Sequence, residues 1–248
     1  MTEEAHNTLS IVLGIPGPWH DIAELIRAIA QNNSDFEMRA GRLIRLADDK
    51  PFQLELMERD PELRQYYALA NRRSLNADDL ARIDAHQSTA YLIGPGGTLE
   101  GAQDMLQAGA ALLQAGGFAV KVETAGIAHS PHDWMAQAER RDTHVGALYI
   151  AYVALVSKSD TVYSCGMHNM GFADALVNAP QSAAQAAELL RGFLMGVLHE
   201  KPILFSGQST LGDGYGGEYR LIHEECHTYP PDDPFYNPFG MWRLAKIG

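Results

Sequence analysis

Apolar positions along the chain recur at two periods, and these divide it into short strands and a few amphipathic helices. Residues 9–13 are an apolar run of strand length and Pro16-Gly17-Pro18 is a turn. Residues 20–31 then place Ile22, Leu25, Ile26 and Ile29 on one helical face. Residues 37–46 and 52–57 read as two strands parted by the turn chemistry of Asp48-Asp49-Lys50-Pro51. A charged helical region over 61–83 follows, with Asp60 as its cap and Pro61 at its first position.

A strand at 88–93 opens the second part, breaks at Gly94-Pro95-Gly96-Gly97, and gives way to a helix capped by Thr98. Ala102, Met105, Leu106, Leu112 and Leu113 recur there at helical spacing, and Gly116-Gly117 ends it. Residues 118–123 alternate like a strand, Ser130-Pro131 starts a helix through Trp134, and 149–156 with 161–165 are expected as paired strands turning at Lys158-Ser159-Asp160. Residues 183–199 form the clearest helix, closed by Lys201-Pro202, with a strand expected at 203–205. The glycine-rich stretch 207–217 leads into an alternating strand at 218–226, a proline-rich connection at 230–238 and a last strand at 241–247.

Strand–helix units that alternate with strand pairs predict an α+β fold: a mixed, largely antiparallel sheet with helices packed on one face. The expected organisation is one compact unit over 1–248. Two similar halves, 1–84 and 85–248, are the alternative division, although no residue-level period marks them.

Composition narrows the function classes. With 248 residues, of which 46% are hydrophobic and 20% charged, the chain is long enough for a large core. A net charge of −12 has the wrong sign for gripping nucleic acid through its phosphates, and favours encounter with a basic protein surface. The first four residues are acidic where a secretory signal is basic, and the longest apolar-rich stretch, 145–156, is too short to span a membrane. Two cysteines without CxxC spacing suit a reducing compartment. The chain is therefore expected to be cytoplasmic, with no membrane or nucleic-acid partner.

Several motifs approach known chemistry and stop short of it. His223-Glu224-Glu225-Cys226-His227 matches H-E-x-x-H, but Tyr219, Leu221 and His223 alternate with Arg220, Ile222 and Glu224. That is strand period, and on a strand the two histidines lie about 13 Å apart, too far to share one zinc ion. Gly94-Pro95-Gly96-Gly97-Thr98 sits where a phosphate loop would, without its Gly-Lys or dinucleotide spacing, and reads as a tight turn. Gly207-Gln208-Ser209-Thr210-Leu211 falls one glycine short of a nucleophile elbow. Cys165 and His168 are close enough in sequence for a thiolate pair, and with Ser209 they define the candidate pocket; a buried, structural Cys165 is the competing reading. His129 and His132 lack a third ligand, so neither a metal nor a cofactor is expected. Trp19, Trp134 and Trp242 read as packing residues.

The run Tyr163-Ser164-Cys165-Gly166-Met167-His168, then Gly171 and Asp174, the helix over 187–198 and Pro202-Ile203-Leu204-Phe205-Ser206-Gly207-Gln208-Ser209 resemble the bacterial domain-of-unknown-function family 4261. Gly116-Gly117-Phe118-Ala119-Val120, Thr124-Ala125-Gly126, Ser130 to Trp134 and Asn237-Pro238 are similar too, so the resemblance covers roughly residue 88 to the C-terminus. It carries no catalytic residues. Its members are found in the company of secreted toxin systems, so the resemblance implies an immunity or accessory role. The charged insert over 48–83 has no fixed place in that pattern.

The function expected is that of a non-enzymatic binding protein, an immunity protein that covers a cognate toxin or effector. The alternatives are an enzyme with its pocket around Cys165, His168 and the 207–217 loop, and an accessory partner in a secretion system. Charge density makes Asp48, Asp49, Glu55, Glu58, Asp60, Glu62, Asp232 and Asp233 the candidate contacts for a protein partner. Homo-oligomerisation is left open by a single chain.

Overall fold

The computed structural model describes residues 9–140, 145–178, 182–212 and 217–247. The acidic residues 1–4 and the centre of the glycine-rich stretch, 213–216, lie outside them.

Two sheets share one hydrophobic core. The first holds seven strands in the order β2 (Phe36–Arg39), β3 (Arg42–Arg45), β4 (Lys50–Glu58), β5 (Ser88–Pro95), β1 (Ser10–Gly17), β6 (Val120–Val122), β7 (Ile127–His129), and every neighbouring pair is antiparallel. The second runs β11 (Ser209–Gly212), β12 (Gly217–Glu224), β13 (Met241–Ile247), β10 (Asp174–Asn178), β9 (Thr161–Cys165), β8 (Ala154–Lys158); only β10 and β13 pair in parallel. The fold is thus α+β and largely antiparallel, in two sheets where the sequence pattern read one. A cut at 84/85 would separate β5 from both of its partners, β1 and β4.

Ile11, Leu13 and Ile15 alternate along β1 and point into the core against α4 (Leu99–Gln114). A Cβ on Gly109 of that helix would lie 3.0 Å from both Leu13 and the Trp134 ring, so the glycine sets how closely α4 approaches β1. Trp134, on α5 (Pro131–Ala138), donates its indole N–H to the Leu106 carbonyl at 3.0 Å, and Trp19 donates to that of Ala115 at 3.0 Å. Both are packing residues with satisfied polar ends. α1 (Ile22–Asn32) packs on β2 and α4, while α6 (Val145–Tyr152) and α7 (Ala183–Glu200) pack on each other, α7 also covering β9 and β10.

α2 (Leu63–Ala70) and α3 (Ala77–Asp84) pair with each other and cover the Gly14 side of the first sheet. Tyr67 of α2 donates to the Gly14 carbonyl at 2.6 Å. The 61–83 region is therefore two helices, because Asn71 folds its amide onto the N–H groups of Ser74 and Leu75, and Asn76 starts α3 with a reciprocal capping box to Asp79. Asp60 belongs to the preceding turn, accepting from the Glu62 N–H, and Glu62 stands at the helix start.

Four other elements differ from the sequence pattern. Residues 37–46 are a hairpin, β2–β3, closed by Ala40 and Gly41 at φ +48° and +76°, the paired positive φ of a two-residue turn. The expected strand at 149–156 is half helix: α6 ends at Tyr152 and β8 begins at Ala154. Its apolar run is buried on nearly all sides and shows neither period. Residues 203–205 form no strand; the chain meets the β12 edge only from Gly207, whose N–H donates to the Leu221 carbonyl at 2.7 Å. On α1, Leu25 and Ile29 are buried whereas Ile22 and Ile26 are 42% and 41% exposed.

Candidate functional site

Cys165 and His168 sit at a single 3-10 turn, Met167–Met170, which connects β9 to β10 in the second sheet and meets the first sheet's side through Asn169. Asn169 accepts from the Gly97 N–H at 3.0 Å and, through its side chain, from the Thr124 hydroxyl at 2.8 Å. Gly97 and Gly96, which donates to Leu9, thus have their amides engaged within the fold, and the 94–98 segment is a tight turn. Asp174 is buried nearby. Its carboxylate accepts from the Ser164 hydroxyl at 2.6 Å, the Asn237 amide at 2.6 Å and the Met167 N–H at 3.3 Å. Burial pushes that carboxyl up to about 6, against the opposing pull of these hydrogen bonds. Through it, β9, β10, the 3-10 turn and the connection leading to β13 are tied together.

Cys165 and His168 flank this knot without forming a nucleophile pair. Burial, with smaller contributions from Asp174 and Cys226, pushes the Cys165 thiol far up, the opposite of what an attacking thiolate needs. Burial drives His168 down to about 4; neither ring nitrogen has a hydrogen-bond partner of good geometry, and the Pro234 and Thr124 backbone opposes the fall only weakly. Ser209, on edge strand β11, is four strands from Cys165, about 19 Å at ordinary strand spacing. The structure therefore does not bring Ser209 into a common pocket with Cys165 and His168.

Three other histidines that the sequence singled out make packing or surface contacts. His223 lies on β12, packs at a tilt against Trp242 with ring centroids 4.7 Å apart and bonds the Phe239 carbonyl at 2.9 Å, while Glu224 grips Arg243 through two contacts. The strand expected to residue 226 stops at Glu224, so His223 and Glu224 of the H-E-x-x-H run end β12 while Glu225 to His227 lie beyond it, and no helix brings the two histidines onto one face. His129 bonds the Ala151 carbonyl and is buried, whereas His132 is exposed beside Asp133. Among the described residues no three His, Cys, Asp or Glu side chains converge as a metal site.

The predicted acidic contacts fall into separate groups. Asp48 and Asp49 form the β3–β4 turn and pair with Arg45 and Arg39; the Arg45 guanidinium holds the Asp48 carboxyl down at about 2. Glu58 ends β4, roughly 27 Å away along the strand. Glu55 is exposed on the same strand and accepts from Gln53 at 2.7 Å. Asp60 and Asp233 support turns through backbone N–H groups, Glu62 accepts from the Tyr66 hydroxyl at 2.9 Å, and Asp232 is exposed. They make no single acidic face.

Two surface grooves stand out instead. One, of about 260 Å³, opens where β4 ends and β5 begins beside the start of α1, lined by Asp21, Ile22, Leu56, Met57 and Glu58 with His20, Gln87 and Ser88. Among the described residues no lysine or arginine lines it, and Met57 is 53% exposed. The other, of about 300 Å³, runs between α2 and the Tyr229–Phe235 loop down to Cys165. Of the sequence candidates, Glu58 lines the first groove and Cys165 the second. Ile22 and Met57 went unread because periodicity assigns an apolar residue to a face without saying whether another element covers it.

No family model, no curated protein and no solved structure matches this chain. The likeness to family 4261 therefore remains a likeness. Among the described residues no helix is long and apolar enough to cross a membrane.

Proposed function

We propose that the chain is a non-enzymatic, cytoplasmic binding protein of the immunity type, which neutralises a bacterial toxin or effector by seating a basic face of it on the 20–22/56–58 groove. The observation that carries this reading is the make-up of that groove. Met57 and Ile22 offer apolar surface at its centre, Ile26 extends it one helical turn along α1, and Asp21 and Glu58 supply negative charge with no lysine or arginine among the described lining side chains. A net charge of −12 adds long-range attraction for a cationic partner. The resemblance to a family found beside toxin systems points the same way. The condition of Cys165 and His168, one thiol held protonated and one imidazole held neutral and enclosed, supports binding over chemistry at that centre.

Affinity capture from native host lysate with mass spectrometry, followed by co-expression, tests the proposal. The expected result is one stoichiometric effector whose toxicity is abolished by co-expression. Recovery of a secretion component with no toxic activity would move the assignment to an accessory role, and recovery of the bait alone would contradict a tight-partner function.

A further inference from the structure

We propose that the second groove, between α2 and the Tyr229–Phe235 loop, is a binding site for a small aromatic carboxylate, independent of the partner-binding groove. Its volume of about 300 Å³ suits a single-ring ligand, at the lower end of small-molecule sites. The walls are chiefly apolar. Tyr229 and Phe235 meet edge-to-face with centroids 5.3 Å apart, and a ligand ring can extend that aromatic arrangement. Gly126 lets the Phe235 ring pack close to form this wall: the glycine holds φ +63°, and a Cβ there would stand 3.1 Å from that ring.

Charge selects the ligand's polar end. Among the described lining side chains Arg72 and Lys121 are cationic and none is anionic. Lys121 is paired with Glu123, which leaves Arg72 as the lining cation with no carboxylate partner among the described residues. The nearby acids are engaged elsewhere, Glu62 with the Tyr66 hydroxyl and Asp233 with the Phe235 N–H. In a chain of net charge −12 the charged lining side chains of this groove are cationic, and the guanidinium fork of Arg72 matches a carboxylate. A ligand ring in the cleft with its carboxylate at Arg72 satisfies both features together.

Calorimetric titration of the full chain with 3-phenylpropionate, 3-phenylpropylamine and propionate tests the assignment. The acid is expected to bind with Kd on the order of 1 mM, as suits so small a ligand. The amine, which has the same ring and the opposite charge, should bind at least about tenfold more weakly, and propionate should give no measurable heat. Arg72→Gln should weaken phenylpropionate about tenfold, the loss of one charge-assisted hydrogen bond, and leave the melting temperature unchanged because Arg72 is exposed. Equal binding of acid and amine, an Arg72→Gln protein that binds as the wild type does, or no binding by about 10 mM would each overturn the proposal.

Discussion

Ala40 sits in the two-residue β2–β3 turn at φ +48°, a left-handed conformation in which alanine has no side-chain hydrogen bond to offset the strain. Asparagine suits this position before Gly41, so Ala40→Asn should raise stability by about 0.5–1 kcal/mol in urea denaturation, and an unchanged midpoint would contradict the turn assignment. The same residue scale shows why the candidate site was only half legible. Cys165 and His168 are visible in a sequence as reactive types, but what disarms them comes from afar: the backbone near Thr124 and Pro234 encloses His168, and Asp174 and Cys226 lie around Cys165. His86 shows the point in the other direction. Its Nδ1–H donates to the Ile83 carbonyl at 2.7 Å and Nε2 accepts from the Asp60 N–H at 3.1 Å, a neutral tautomer set by two backbone groups.

At the scale of elements, legibility followed periodicity and caps. Thr98 caps α4 through the Gly101 N–H at 2.9 Å, Ser130 caps α5 with Pro131 behind it, and β13 occupies the predicted span. Where neither signal existed, as in the evenly buried run of α6, the pattern could not separate helix from strand. The β9 to 3-10 connection turns on Gly166 at φ +117°, where a Cβ would stand 1.9 Å from the Tyr152 carbonyl oxygen. Since backbone opposes it there, Gly166→Ala should cost more than about 3 kcal/mol or prevent folding. A soluble variant with wild-type stability would show that this junction does not tie the two sheets as described.

The whole molecule carries a pH dependence built from opposed buried groups. His129 and His168 fold neutral, each driven by burial to about 4 from the ordinary 6.5, and His86 is lowered in the same direction. Their stabilisation is complete above about pH 6.5 and is lost as the pH falls toward 4, because the unfolded chain takes up protons the folded one refuses. Asp174 works the other way. With its carboxyl raised from 3.8 to about 6, its stabilising contribution is present below pH 3.8 and lost as the pH rises through 6. The histidines outnumber it, so stability should drop on the order of 3 kcal/mol between pH 7 and 4. Denaturation midpoints across that range check the sign, and a protein more stable at pH 4 than at 7 would contradict it.

Binding also belongs to the whole molecule, since the −12 charge and one groove are asked to act together on a partner. The most direct measurement is the affinity of the captured effector for the wild type, for Met57→Lys and for Glu58→Lys, at low and at moderate salt. Met57 and Glu58 are exposed, so both variants should fold, and each should weaken binding at least about tenfold by placing a cation against a basic face. Wild-type binding should itself weaken as salt rises. Unchanged affinity in both variants, together with indifference to salt, would contradict the account and place the partner elsewhere on the surface.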